Sequence, residues 1–203
     1  MKEKYQRDLE VFCETVSSDV PAFVQGMDYS KIEAAADLIQ ASEAEGGRLH
    51  ISGIGKPGHL AGYLASLMSS TGTPAYFLHG TEAVHGSCGQ LRAGDVVIFI
   101  SNSGETAEMR STILAVKNND CRVIGVSGNE NSWLAQQSDV HLFAGVKAEG
   151  GPLNRAPRMS ILAEVIVLQA LSVVLQSRVD VTPQQYVRWH PGGSLGQLRN
   201  HEK

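Results

Sequence analysis

The residues best suited to chemistry in this sequence lie at 101–106, which read Ser-Asn-Ser-Gly-Glu-Thr and follow an apolar, β-branched run. Ser101, Ser103 and Thr106 offer hydroxyl donors, and Gly104 lets backbone amides approach a ligand closely. A helical pattern begins near the end of this stretch, and the start of a helix adds unpaired N–H groups and a positive dipole end. Three hydroxyls at a helix start, without a lysine, predict a cradle for a phosphomonoester.

Simpler interpretations exist for the same residues. Thr106 alone is a common type of helix N-cap, although so many hydroxyls directly after a buried strand favour an anion site over a capping turn. Glu105 is open to two interpretations. Beside a phosphate dianion its pKa would rise, which would suit a proton-transfer group. As an ordinary first-turn acid it would only stabilise the helix.

A second glycine loop, GIGKPGH at 53–59, also follows a strand candidate and precedes a helix. The dinucleotide-binding fingerprint G-x-G-x-x-G fails here because His59 occupies its last position, and no Gly-Lys-Ser/Thr is present for a P-loop. A nucleotide cofactor is therefore disfavoured. Lys56 is a candidate for holding an anion or a developing oxyanion, or it is merely solvated.

Short strand candidates alternate with helical patterns along most of the chain. The strand candidates are 48–52, 74–79, 95–101, 122–127 and 139–146, and the helical segments are 58–70, 106–118, 132–137 and 158–176. Residues 1–45 have helical spacing, with a break indicated by Pro21 and by 28–30. Strands separated by helices indicate βαβ units, a parallel sheet and an α/β fold, in which ligands bind beyond the carboxyl ends of the strands.

Composition limits the class of protein further. The chain has 203 residues and a formal net charge of −4, so it carries no overall field that would attract nucleic acid. The three cysteines show no CxxC spacing, which is typical of free thiols in a reducing compartment. The N-terminus is charged, and no apolar run is expected to reach the roughly 18 residues of a membrane helix. These features predict a cytoplasmic protein without a membrane partner.

Five stretches, from about residue 30 onward, resemble the sugar isomerase (SIS) domain and more narrowly the arabinose 5-phosphate isomerases. They read GIGKPGH, SSTGTPAYFLHGTEAVHG, SNSGET, AEGGPLNRAP and HPGGSLGQ. The resemblance implies a three-layer α-β-α fold around a five-stranded parallel sheet. It also implies one SIS domain over 1–203, with N-terminal helices in 1–45, a core in 46–203, no CBS domains, and a homotetramer with active sites at subunit contacts.

The implied activity is the interconversion of D-ribulose 5-phosphate and D-arabinose 5-phosphate through an enediolate, on the route to the Kdo sugar of lipopolysaccharide, with neither metal nor redox cofactor. The resemblance assigns catalytic roles to Lys56, His85, Glu105, Glu149 and His190. It assigns phosphate binding to Ser101, Ser103 and Thr106. The predicted substrate-binding set also includes Gly55, Thr71, Asn102, Gly104 and Arg158. Either Glu149 or His190 would move the carbon proton, His85 would serve the oxygens or ring opening, and Lys56 would steady the enediolate.

The chain departs from the family pattern near these residues. Pro57 stands where a serine is usual, Ser87 where an acid is usual, and Arg155 and Arg158 appear in the segment that follows Glu149. One hypothesis is that Arg155 or Arg158 supplies the anion contacts that a serine at position 57 would make. The departures leave two alternatives open, namely a phosphosugar-binding sensor without activity and an isomerase of another sugar phosphate. A metal cluster of His79, His85 and Cys88 is poorly supported by its spacing.

Overall fold

A five-stranded parallel sheet lies at the centre of the computed structural model, which describes residues 2–202. The strands are β1 (Leu49–Gly53), β2 (Ala75–Phe77), β3 (Val96–Ile100), β4 (Arg122–Ser127) and β5 (Val140–Phe143). Their order across the sheet is β2-β1-β3-β4-β5, with every neighbouring pair parallel. The predicted parallel α/β sheet is confirmed.

Within residues 2–202 the chain forms seven α-helices in addition to this sheet. They are α1 (Lys2–Gln25), α2 (Tyr29–Ala44), α3 (Lys56–Ser70), α4 (Ala107–Asn118), α5 (Trp133–Gln137), α6 (Met159–Arg178) and α7 (Pro183–Trp189). Three short 3-10 turns complete the fold, at Glu82–His85, Ser87–Gln90 and Ser194–Gly196. The predicted helices and strands are present, with ends that differ by a few residues.

The helices form a layer on each face of the sheet. Ile98 and Ile100 of β3 pack in one apolar cluster with residues of α2, α3 and α6. Val97 and Phe99, which point to the opposite face, pack in a second cluster with Met109 of α4 and with α5. All five residues of β3 are buried, because a central parallel strand is covered on both sides. The three-layer architecture is thereby confirmed.

Two expectations about helices need correction. Pro21 does not break α1, which continues to Gln25; the carbonyl freed one turn earlier, at the exposed Ser17, can bond to water instead. The chain also does contain an apolar helix of membrane-spanning length. By length and composition α6 could cross a bilayer, but half of its most apolar window is buried in the fold, as in the core helix of a globular protein.

The amino ends of β1 and β3 are tied together by a buried carboxylate. Asp95 accepts hydrogen bonds from the backbone N–H groups of Arg48 (2.8 Å) and Arg92 (2.9 Å). Its Oδ2 also lies 3.0 Å from the Arg48 guanidinium and 3.0 Å from His50 Nε2. These bonds lower the pKa of Asp95 despite the opposing effect of burial, which is the largest single influence on it.

Candidate functional site

The topology brings the two glycine-containing loops together. β1 and β3 are neighbours in the sheet, with Gly53 paired to Ile100 at their carboxyl ends. The chain leaves β1 towards β2 at one edge and returns past β1 to β3, so the direction of winding reverses between these two strands. This is the switch point at which open α/β sheets form their ligand crevice. Loops 53–59 and 101–106 form its two sides.

Within loop 101–106 the hydroxyl groups of Ser101 and Thr106 lie close together. Ser101 is buried, and its Oγ lies 3.3 Å from Thr106 Oγ1 and accepts from the N–H of Gly104 at 3.2 Å. Ser103 Oγ accepts from the N–H of Glu105 at 3.2 Å. Thr106 is the residue before α4, but its side chain makes no capping bond to the described part of the chain. Its hydroxyl is therefore not used as a helix cap and contacts only Ser101 Oγ among the described residues, while Asn102 is exposed.

Gly104 is required by the shape of this loop. Its φ is +66°, a left-handed conformation that side chains rarely adopt, and an added Cβ would lie 2.5 Å from Ser132 Cβ. The N–H of Leu134 donates to the Gly104 carbonyl at 3.0 Å. The loop is thus fixed against the start of α5.

Both carboxylate oxygens of Glu105 have partners in the structure. Its Oε1 accepts from the backbone N–H of Trp133 at 2.8 Å, and its Oε2 pairs with the Arg110 guanidinium. These interactions, the Trp133 bond foremost, lower the pKa of Glu105 from its ordinary value. The carboxylate is thus stabilised as an ion, which is opposite to what a proton donor near neutral pH requires.

Arg110 and Trp133 were missed by sequence reasoning. The Arg110 guanidinium carbon lies 5.3 Å from the Trp133 ring centroid, within the range of a cation–π contact. Glu105 precedes α4 and Arg110 is the fourth residue inside it, so the pair does not follow the i,i+4 spacing that would signal an ion pair on a helix. Trp133 joins them only through tertiary packing.

The other glycine loop has a tight backbone and one exposed cation. A Cβ on Gly53 would lie 2.7 Å from the Pro57 carbonyl carbon, and Gly55 has a φ of +67°. α3 begins at Lys56, two residues earlier than predicted, because Gly55 can turn the chain and Pro57 is favourable in a first helical turn. Lys56 is exposed at the mouth of the crevice and makes no ion pair within residues 2–202.

Glu149 caps the long helix α6. Its Oε2 accepts from the backbone N–H groups of Arg158 (2.7 Å) and Ser160 (3.1 Å). Its own N–H donates to Asn154 Oδ1 at 2.6 Å, which closes the intervening loop. The side chain is half-buried and lies at the positive end of a 20-residue helix. A carboxylate in this setting is accessible and firmly oriented.

The two arginines of this segment are exposed. Arg158 immediately precedes α6 and its guanidinium lies against Gly151, where an added Cβ would collide with it. Neither Arg155 nor Arg158 contacts loop 101–106 by a hydrogen bond or ion pair in the described structure. Their suggested compensation for the missing serine at position 57 stays a hypothesis.

His85 ends the 3-10 turn after β2 and is exposed, whereas nearby His79 has a local structural role. His79 Nδ1 accepts from the N–H groups of Thr81 (3.4 Å) and Glu82 (3.3 Å). Among residues 2–202, no three His, Cys, Asp or Glu side chains come close enough to hold a metal ion.

Thr71 is separated from loop 101–106 within the chain, and its assignment to substrate binding stays a prediction. Its hydroxyl donates to the carbonyls of Leu67 (3.0 Å) and Met68 (3.1 Å) and ends α3. α3 has 15 residues, so Thr71 lies about 20 Å from Lys56, near the amino ends of the strands. Helices that follow parallel strands run back towards the amino ends of those strands, and Thr71 lies there because it ends α3.

His190 also lies near the amino ends of the strands. It follows α7, its Nδ1 lies 2.8 Å from the Tyr186 carbonyl oxygen, and its ring stacks on Tyr186 at 4.0 Å. The neighbouring Trp189 approaches Gly72, directly after the end of α3. Within one chain the sheet places loops 53–59 and 101–106 at neighbouring strand ends, and it leaves His190 on the far side.

Two of the curated proteins similar to this chain carry the same name, arabinose 5-phosphate isomerase. A Haemophilus influenzae protein named "Probable arabinose 5-phosphate isomerase" is 42% identical over 84% of this chain and 49% of its own length. The Pseudomonas aeruginosa arabinose 5-phosphate isomerase KdsD is 38% identical over 79% of this chain and 50% of its own. The chain thus spans about half the length of the curated relatives it matches.

Similarity to solved structures extends over nearly the whole chain. An Escherichia coli CFT073 protein solved in complex with arabinose 5-phosphate is 33% identical, with a TM-score of 0.73, covering 94% of this chain and 95% of the other. A Bacteroides fragilis structure is 34% identical, with a TM-score of 0.81 and coverage of 95% and 98%. The family model described as SIS domain matches residues 44–174. The chain belongs to the SIS domain family.

Proposed function

We propose that this protein is a sugar-phosphate isomerase that interconverts D-ribulose 5-phosphate and D-arabinose 5-phosphate. The observation that carries the proposal is the pair of Ser101 and Thr106 hydroxyls in loop 101–106, at a strand end that neighbours the start of the Lys56 loop. The relatives named arabinose 5-phosphate isomerases, and the related structure with arabinose 5-phosphate bound, support this choice of sugar.

In the proposed mechanism one set of groups binds the phosphate of the substrate, and a second set acts on its reacting carbons and oxygens. The loop hydroxyls and free amides at the start of α4 hold the phosphate, which anchors the reacting carbons at a fixed distance. A base then moves a proton between C1 and C2 through an enediolate, and Lys56 offsets the negative charge that develops on the oxygens. Glu149 or His190 is the proposed carbon base, and His85 serves the oxygens or ring opening.

The position of His190 leads us to propose that the protein acts as an oligomer. Because His190 lies near the amino edge of the sheet, it would reach a crevice only in another copy of the chain. We therefore include in the proposal a homotetramer whose sites combine residues of two subunits. Closed symmetric assembly is the common state of soluble oligomers and would complete every site equally.

Isomerase activity is tested by proton exchange. The purified protein is incubated with ribulose 5-phosphate in deuterated water, with and without a chelator, and followed by NMR. Formation of arabinose 5-phosphate carrying deuterium at C2 supports the proposal, and activity that survives the chelator supports catalysis without a metal. Binding without exchange, across a panel of sugar phosphates, would overturn it in favour of a sensor.

The shared site is tested by mixing two inactive variants. Glu149→Gln and His190→Ala chains are unfolded together, refolded as a 1:1 mixture and assayed. If each site takes Glu149 from one chain and His190 from another, about one quarter of the sites regain both groups. If both residues serve the same chain, every site keeps one defect and activity stays at the level of the separate variants.

A different sugar phosphate is the second candidate substrate, and the departures at Pro57 and Ser87 favour considering it. Pro57 removes one hydroxyl and one N–H donor from the side of the crevice. Exchange with another ketose or aldose phosphate alone would select this candidate. The rest of the proposal comprises a role in lipopolysaccharide precursor synthesis, a cytoplasmic location and a single SIS domain over 1–203.

A further inference from the structure

Arg110, Glu105 and Trp133 form a closed arrangement at the edge of the phosphate cradle. The Arg110 guanidinium pairs with Glu105 Oε2 and lies 5.3 Å from the Trp133 ring centroid. The Trp133 N–H donates to Glu105 Oε1 at 2.8 Å, so that both carboxylate oxygens are engaged. The three residues come from α4, from loop 101–106 and from α5, and join all three elements.

This arrangement acts together with the backbone contacts of the loop. The N–H of Leu134 donates to the Gly104 carbonyl at 3.0 Å, one residue away from each end of the Trp133–Glu105 bond. Ser101 and Ser103 in turn make hydrogen bonds to the N–H groups of Gly104 and Glu105. The orientation of the cradle hydroxyls therefore depends on where Glu105 is held.

Glu105 also creates an electrostatic difficulty for a phosphate site. It belongs to the same six-residue loop as the hydroxyls, well within the Debye length of about 10 Å at ordinary ionic strength. An unpaired carboxylate there would repel a phosphate dianion. Arg110 places a positive charge against it, and the side chains of both residues are about two-fifths exposed, at 42% and 44%.

We propose that Arg110 is a positioning residue, which neutralises Glu105 and, with Trp133, fastens the phosphate loop to α5. Glu105 then serves anion binding through its place in the loop and is not the group that moves a proton. The inference rests on the proposed function only in requiring that loop 101–106 binds a phosphate group, and it does not require turnover.

Binding of inorganic phosphate, measured by calorimetry at low ionic strength, tests this role. Arg110→Ala is expected to weaken binding about five- to tenfold, because it exposes the Glu105 charge. The double variant Glu105→Gln/Arg110→Ala is expected to recover most of that loss, since the repelling charge is gone. Rescue by removal of a second group is not expected from a merely structural arginine.

A matched control is Arg122→Ala, which removes an arginine from another exposed ion pair, with Asp139, at the amino end of β4. Its phosphate binding is expected to equal that of the wild type, and circular dichroism checks that every variant is folded. Unchanged binding by Arg110→Ala, or a double variant no better than Arg110→Ala, would overturn the inference alone. Failure of the wild type to bind phosphate would overturn the proposed cradle, and the inference with it.

Kinetics provide a second test. With arabinose 5-phosphate as substrate, Arg110→Ala is expected to raise KM about fivefold and to change kcat less than threefold, because it affects binding of the phosphate in all states alike. A fall in kcat of a hundredfold or more with unchanged KM would instead assign proton transfer to the Arg110–Glu105 pair and contradict the inference.

Discussion

Two buried carboxyl groups of this protein have opposite surroundings, and their pKa values shift in opposite directions. Asp95, at the amino edge of the sheet, accepts from two backbone N–H groups, an arginine and a histidine, and its pKa is lowered. Glu164, on the second turn of α6, is fully buried and neither oxygen has a partner among residues 2–202. Burial, and secondarily the charge of Glu149, raises the pKa of Glu164 to about 8.

The difference lies in whether the buried carboxyl group has hydrogen-bond donors around it. At the amino ends of the strands, the buried Asp95 carboxylate accepts hydrogen bonds from several donors and thereby joins β1 to β3. Towards the start of α6 and the end of β1, the Oγ atoms of Ser160 and Ser52 also lack partners within the described residues. Buried polar groups without partners are costly, and Arg48 Nε and His50 Nδ1, beside Asp95, are two more of them among the described residues.

The largest expected effect comes from removing the accessible carboxylate near Glu164. Glu149→Gln is expected to lower kcat about a thousandfold, the scale of general acid–base catalysis, because an amide cannot accept the carbon proton. The measurement is initial rate with ribulose 5-phosphate at saturation, with Glu33→Gln, an exposed glutamate of α2, as control. Activity within threefold of wild type would remove Glu149 from the mechanism.

At the amino ends of the strands, the comparison predicts that loss of Asp95 has a large effect on the free energy of unfolding. Asp95→Ala is expected to reduce the free energy of unfolding by about 3–5 kcal/mol, because it leaves Arg48 and His50 without their shared partner. Urea unfolding at a fixed protein concentration measures it. Asp37→Ala, which breaks the exposed pair with Arg178, is the control and should cost less than about 1 kcal/mol. Equal losses in the two variants would contradict the assigned role of Asp95.

Glu164 predicts how stability changes with pH. Its folded pKa of about 8 lies above its ordinary value of 4.5, so the native chain keeps a proton that the unfolded chain releases. The free energy of unfolding should therefore fall as pH rises from about 5 to 8 and level off above that range, by about 2–4 kcal/mol from this group.

Glu164→Gln cannot ionise and should remove most of this pH dependence. Urea unfolding of both proteins at pH 5, 6.5 and 8 makes the comparison, with Glu33→Gln again as the control that should keep the wild-type slope. Identical slopes in wild type and Glu164→Gln would show that Glu164 is paired in solution and would cancel the contrast with Asp95.

The smallest effect concerns thiols. Burial raises the pKa of Cys121 to about 11, and Cys13 is exposed on α1. At pH 8 a disulfide reagent such as DTNB should modify Cys13 within minutes and leave Cys121 unmodified until the protein unfolds. Rapid modification of Cys121, located by mass spectrometry, would show that the amino edge opens more readily than the Asp95 network suggests.

Much of the fold could be predicted from local sequence signals. The β-branched run at 96–100 indicated a doubly covered strand, and SNSGET indicated a ligand loop at its end; both lie where expected. Helix ends were less predictable, since Gly55 starts α3 and Pro21 is tolerated in α1. Such details depend on positive φ values and on water reaching exposed carbonyls.

The arrangement of the candidate site was harder to predict. Family motifs grouped Thr71 and His190 with the phosphate loop, yet helix direction carries both to the other edge of the sheet. The contacts of Glu105 with Arg110 and Trp133 had no spacing signal, because they form across three elements. Residues joined by tertiary packing cannot be read from periodicity.

The carboxylate cap on α6 has a consequence for the timing of catalysis. If Glu149 takes the carbon proton, as proposed, its neutral form accepts more weakly from the N–H groups of Arg158 and Ser160 for as long as the proton stays. The start of the helix is then less firmly held during each turnover and regains its full cap when the proton returns to the sugar. The helix would thereby favour prompt return of the proton over its loss to solvent.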